Sequence, residues 1–126
     1  MSETKVKILV VEDEVLIAMD IQEKLIALGH DVPVTVDNGE DALKYAAELK
    51  PDLVLMDIVI KGDMDGIETA EKIKNLYNIP SLFLTAYDNQ SVLERVNKIK
   101  PLGYLIKPFD DTKLQEVVLE LYINPQ

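Results

Sequence analysis

Five short apolar runs, each followed by a stretch of helical spacing, constrain this chain more than any other feature. They lie near 6–11, 32–36, 53–58, 81–85 and 103–106. Four are almost continuously apolar, the pattern of parallel strands covered on both faces. The second contains Pro33. A proline donates no ladder hydrogen bond and so belongs on an edge strand. Between the runs, Val15, Met19, Leu25 and Leu28 suit the inner face of a first helix that stops at Gly29. Asn38 suits the cap of a second helix, which ends before Pro51. Asp65 with Glu68 has the spacing of a capping box for a third, and Asp88 suits the cap of a fourth that ends before Pro101. Asp110 opens the last helix, striped by Leu114, Val117, Val118 and Leu121, with Phe109 and Leu114 at the positions of a hydrophobic staple.

Five such units in one 126-residue chain imply a parallel α/β sheet with right-handed crossovers and helices on both faces. With Pro33 at an edge, the flavodoxin-like (βα)5 order 2-1-3-4-5 fits. Ligands of such a sheet bind outside the carboxyl ends of the strands, where strands 1 and 3 diverge.

The strand ends carry the chemistry. Asp57 closes the run Leu53-Val54-Leu55-Met56, and the first run ends in Glu12-Asp13. The fourth ends in Thr85 and the fifth in Lys107. A carboxylate at the end of a buried strand costs several kcal/mol unless something compensates for it. Two carboxylates roughly 5 Å apart repel by on the order of 3 kcal/mol at an effective dielectric of about 20. Folding does not gather Glu12, Asp13 and Asp57 for stability, but a hard cation reverses the balance. Mg2+ prefers oxygen ligands and commonly shares them with a phosphate. Glu12 and Asp13 are therefore expected to hold the metal, with Asp57 both ligand and phosphoryl acceptor. Lys107 would supply an ammonium to the transferring group and Thr85 a hydroxyl.

Bulk properties narrow the partners. The net charge of −10 leaves this domain without the basic footprint that nucleic acid or an anionic membrane needs. No apolar run reaches the roughly 18 residues of a membrane span, and Met1-Ser2-Glu3-Thr4-Lys5 has no secretion-signal core. A cytoplasmic location is expected. There is no cysteine, hence no disulfide or thiolate chemistry.

The chain resembles the receiver domains of two-component response regulators, in particular the single-domain chemotaxis-type regulators. The resemblance runs through Ile8-Leu9-Val10-Val11-Glu12-Asp13-Glu14, Leu55-Met56-Asp57, Met64-Asp65-Gly66, Leu84-Thr85-Ala86 and Gly103-Tyr104-Leu105-Ile106-Lys107-Pro108-Phe109. It implies a single receiver over 1–126, with its core at about 5–122. It also implies that Asp57 takes a phosphoryl group from the phosphohistidine of a histidine kinase or phosphotransfer protein. Glu12, Asp13, Asp57 and the Val59 backbone carbonyl would surround Mg2+, while Lys107 and Thr85 would contact the phosphoryl group. Thr85 and Tyr104 would switch together, altering the surface of helix 4, strand 5 and helix 5 read by a downstream target or fused output domain. Such a domain is a monomer or a phosphorylation-dependent homodimer, and no enzyme beyond its own phosphorylation and dephosphorylation. Val59 and Tyr87 flank the site two residues past Asp57 and Thr85; both are bulky and are expected to slow self-dephosphorylation. The matching proline of the family, here Pro108, usually follows a cis bond. One departure stands out: the commonest pattern has proline where Lys61 stands, then two residues before Asp-Gly. Here three intervene, Gly62-Asp63-Met64.

Plainer readings stand beside these. Asp13 at the start of the first helix could be only its cap, Thr85 only a strand threonine, and Lys107 only a surface lysine. His30 reads as a loop residue after Gly29. A flavin module of the same fold would want Gly, Ser or Thr after strand 1 rather than Glu12-Asp13-Glu14. A haloacid-dehalogenase-type phosphatase would want a second aspartate where Val15 stands. The remaining alternative is a receiver-like interaction domain that is never phosphorylated.

Overall fold

The computed structural model describes residues 5–85, 90–107 and 109–119. The apolar runs become the strands β1 (Ile8–Val11), β2 (Thr35–Val36), β3 (Leu53–Asp57), β4 (Ser81–Thr85) and β5 (Gly103–Ile106). They alternate with α1 (Val15–Ala27), α2 (Gly39–Leu49), α3 (Gly66–Tyr77), α4 (Gln90–Lys98) and α5 (Asp111–Val118). All pairings are parallel and the order is β2-β1-β3-β4-β5, the expected flavodoxin-like (βα)5 arrangement.

Every residue of β1, β3 and β4 is buried, because successive side chains serve two different layers. Ile8, Val10, Leu55, Leu82 and Leu84 pack with Ile21 and Leu25 of α1 and Leu114 and Val118 of α5. Leu9, Val11, Met56 and Phe83 pack on the other side with Ala42 and Ala46 of α2, Ile67 and Ile73 of α3, and Val96 of α4.

Three helix starts match their expected caps. The side chains of Asn38, Asp65 and Asp110 accept from the amides of Asp41, Glu68 and Lys113. Asp88, Leu121 and the Lys107–Pro108 bond lie outside the described residues. His30 is buried, and its Nδ1 accepts from the Val6 amide at 3.2 Å. That bond needs the neutral ring, and burial holds its pKa below the usual value. It is a structural histidine that pins the lead into β1.

Three expectations and one of the plainer readings are corrected. The strand expected over 32–36 is only Thr35–Val36, with Pro33 exposed ahead of it; an edge position needs no longer ladder. In α1, Val15 and Met19 are exposed, and the buried stripe is Ala18, Ile21 and Leu25. The helix is apolar almost all round, so its composition admits two registers. The cap of α1 is Glu14, without a side-chain hydrogen bond, so Asp13 is not spent on capping. Finally, β5 is covered only in part: Tyr104 is 43% and Ile106 46% exposed, because β5 is the second edge of the sheet.

Gly66, the first residue of α3, lies against the backbone of Asp57 and Ile58 and donates to Ile58 O at 2.8 Å. A β-carbon there would overlap the Asp57 carbonyl, and backbone cannot move aside as a side-chain end can. Gly66→Ala is expected to lower the free energy of unfolding by at least about 2 kcal/mol, read from urea unfolding. A loss under about 0.5 kcal/mol would contradict this close approach.

Candidate functional site

A cleft of about 230 Å³ opens at the carboxyl end of the sheet, lined by Glu12, Asp13, Asp57, Val59, Thr85, Val92 and Lys107 among others. It sits at the switch point between β1 and β3. Sheet register delivers its side chains. Val11 pairs with Met56, so Glu12 and Asp57 leave neighbouring strands at one level. Asp57 pairs with Leu84 and Thr85 with Ile106, which brings Thr85 and Lys107 to the same end. The Lys107 amide donates to Thr85 O at 2.7 Å, fixing the backbone beside the cleft.

Lys107 reaches across the sheet to both acids. Its Nζ lies 2.9 Å from Glu12 Oε1 and 3.2 Å from Asp57 Oδ2. The Glu12 side chain is wholly buried and that of Asp57 is 10% exposed. The second oxygens are met locally: the Glu14 amide donates to Glu12 Oε2 at 3.0 Å, and the Val59 amide to Asp57 Oδ1 at 3.3 Å. Asp13 is treated differently, since its Oδ1 is buried with no hydrogen-bond partner among the described residues. Burial, and then the nearby charge of Glu12, push the Asp57 carboxyl up to about 6 against the pull of Lys107. Burial works against the Lys107 ammonium, yet Glu12 and Asp57 hold its pKa above the ordinary value.

The sequence-expected residues Glu12, Asp13, Asp57, Val59, Thr85 and Lys107 thus share one cleft. Tyr104 lies apart on the exposed face of β5, and Tyr87 lies outside the described residues. Two features had no sequence signal: Val92 of α4 as a wall of the cleft, and the contact of Lys107 with Glu12, 95 positions away.

Among the described residues, no three acidic or histidine side chains form a ready-made metal cluster. The donors nonetheless suit a hard cation. Two carboxylates are held by a single ammonium, and a third presents a buried oxygen that none of the described residues satisfies.

A doubly wound α/β domain with an acidic cleft at its switch point is the class these features define. Residues 8–119 match the response regulator receiver domain family, and the chain belongs to it. It is 35% identical over 108 residues to the transcriptional regulatory protein PdtaR of Mycobacterium tuberculosis, covering 86% of this chain and 52% of that protein. It is 40% identical over 121 residues to the transcriptional regulatory protein ZraR of Klebsiella oxytoca, covering 95% and 27%. The chain therefore spans about half, or less, of the length of these curated relatives. Among solved structures, the signal receiver domain of a modulated diguanylate cyclase from Desulfovibrio desulfuricans G20 is similar at TM-score 0.85 and 36% identity, with 91% of each chain covered. The chemotaxis protein CheY4 of Vibrio cholerae, 24% identical with a TM-score of 0.82 over 91% of this chain and 97% of that one, shares the fold. The chain is a two-component receiver domain, and receiver domains in general are signal-transduction modules rather than classical enzymes. Receiver domains in general pair with histidine kinases and bind Mg2+. No helix among the described residues is long and apolar enough to cross a membrane.

The raised Asp57 pKa has a stability consequence. The folded protein keeps a proton on Asp57 that the unfolded chain has already released. Between about pH 4 and pH 6, rising pH therefore lowers stability through this group. Asp57→Asn is expected to unfold on the order of 1–3 kcal/mol later than wild type above pH 6. That advantage should shrink towards zero near pH 4. Urea unfolding of both proteins from pH 4 to 8 measures it; a difference that stays flat with pH contradicts the shift.

Proposed function

We propose that this domain is a phosphorylation-activated switch whose acceptor is Asp57. The observation that carries the reading is the Lys107 ammonium held against two buried carboxylates from different strands. As a structural device this is a poor bargain, since a buried ion pair gains little over apolar packing. As a phosphoryl site it is apt. An Asp57 oxygen attacks the phosphorus of a phosphohistidine, the P–N bond breaks as the P–O bond forms, and the imidazole leaves with the electron pair. With a pKa of about 6, Asp57 is mostly the nucleophilic carboxylate at neutral pH.

Glu12, Asp13, Asp57 and the Val59 carbonyl would hold Mg2+, which when bound neutralises charge on the phosphoryl oxygens. Lys107 would also neutralise phosphoryl charge, and the Thr85 hydroxyl would donate to a phosphoryl oxygen. Tyr104, 43% exposed on β5, would move inward as Thr85 shifts, altering the face made by α4, β5 and α5. The 66% exposed Val59 at the rim offers no group to activate water; with Tyr87 it would prolong the phosphorylated state. The phosphodonor would be a histidine kinase or phosphotransfer protein. The reader would be a protein target or an attached output domain. We take residues 1–126 as one receiver domain.

Incubation with Mg2+ and a small acyl phosphate, followed by intact-protein mass spectrometry, should add one phosphoryl group to wild type and none to Asp57→Asn. Lys107→Ala should slow phosphorylation at least about tenfold. No adduct on wild type, or an equal adduct on Asp57→Asn, would favour a receiver-like interaction domain that is not phosphorylated.

A further inference from the structure

The loop that leaves Asp57 does not simply turn down into α3. Lys61 forms an isolated parallel bridge with Asn38, and its amide donates to Asp37 O at 3.2 Å. Its ammonium lies 3.4 Å from Asp37 Oδ2. Asp37 and Asn38 follow β2, whereas Lys61 follows β3, and β1 lies between those strands. The chain must therefore cross the end of β1, where Glu12 still pairs with β2 through a 2.9 Å bond to Val36 O. Two strand spacings are about 10 Å, and four extended residues reach about 13 Å. The segment from Asp57 to Lys61 is long enough to make the crossing with little slack.

The return limb is secured as well. Gly62 has φ +96, a left-handed turn that favours glycine. Met64 packs so closely on Gly39, the first residue of α2, that a β-carbon on Gly39 would run into it. Gly66 then donates to Ile58 O at 2.8 Å and closes the loop on itself. Val59 is thus held between two fixed points: Ile58, bonded to Leu84 O and the Gly66 amide, and Lys61, bonded to Asp37 O. Its own amide donates to Asp57.

We infer that the Lys61 backbone, bonded to Asp37, is a positioning element that holds the Val59 peptide over the acidic cleft and thereby strengthens Mg2+ binding there. The inference rests on the metal role proposed above for Val59. It depends on the departure of this chain from the commonest receiver pattern. Proline, usual at this position, has no N–H and could not make the bond. The additional residue before Asp65 gives the chain length to go out and come back. The Lys61–Asp37 ion pair contributes little, because both side chains are well exposed, at 61% and 38%. The main-chain bond is the part that matters.

Lys61→Ala and Lys61→Pro separate these contributions. Both remove the ammonium, but only proline removes the N–H. Isothermal titration with Mg2+ should give wild type and Lys61→Ala dissociation constants within about twofold of each other. Lys61→Pro should bind at least about fivefold more weakly. Thermal unfolding without metal checks that both variants fold. Native hydrogen exchange supplies an independent reading in wild type, with the Lys61 amide at least about tenfold slower than that of Asp63. Equal Mg2+ affinity in wild type and Lys61→Pro, with both binding, overturns the inference and leaves the metal role standing. An unprotected Lys61 amide also overturns it. Absence of Mg2+ binding in wild type overturns the metal role and the inference together.

Discussion

The contact on which the rest of the site depends is one ammonium shared by two acids. Lys107 emerges after β5, while Glu12 emerges after β1, three strands away in the sheet. A glutamate and a lysine reaching toward each other span that distance, and Asp57 on β3 lies along the way. Without Lys107, two largely buried carboxylates would face each other across neighbouring strand ends, a repulsion of several kcal/mol at short range. The ammonium makes the acidic cleft tolerable, yet it leaves Asp57 with a raised pKa and Asp13 with a buried oxygen unsatisfied among the described residues. The arrangement is balanced but incomplete, which is the condition of a site poised to take up charge. On the function proposed above, a cation would add positive charge and a phosphoryl group negative charge, and the same groups would receive both.

Much of this was legible in the sequence because the signals were local or periodic. Apolar runs gave the strands, Pro33 gave the edge, and Asn38, Asp65 and Asp110 gave helix starts whose side chains do accept the expected amides. Placing Glu12, Asp57, Thr85 and Lys107 at one end of the sheet needed only the rule that parallel strands share a carboxyl end. What could not be read was whatever depends on choosing among equals. Val15 and Ala18 are both apolar residues of α1, and only packing against the sheet selects Ala18 for burial. β5 reads like an inner strand, but its place in the order leaves Tyr104 and Ile106 exposed. Contacts between loops, such as Lys61 with Asp37, carry no periodicity and leave no mark in composition.

The loop after Asp57 also bears on how a change at the cleft could be felt elsewhere. Asp65 caps α3 with one carboxylate oxygen, accepting from the Glu68 amide, and with the other accepts from Arg95 of α4 at 2.7 Å. Helix α4 fully buries only Val96, with Val92 packed partly buried against the same core, so it has a small apolar anchor and a polar tether. Such elements are the least costly to move. The segment that begins at Asp57 therefore touches the lead into α2 through Lys61 and α2 itself through Met64, starts α3 at Gly66, and holds α4 through Asp65. A displacement of the Asp57 carboxylate would be resisted on the α2 side by main-chain bonds and close packing. On the α4 side it would meet the Asp65–Arg95 surface ion pair, worth at most about 1 kcal/mol, and the partly buried Val92 that walls the cleft. On the switching function proposed above, α4 would yield more readily than α2 when the cleft is remodelled.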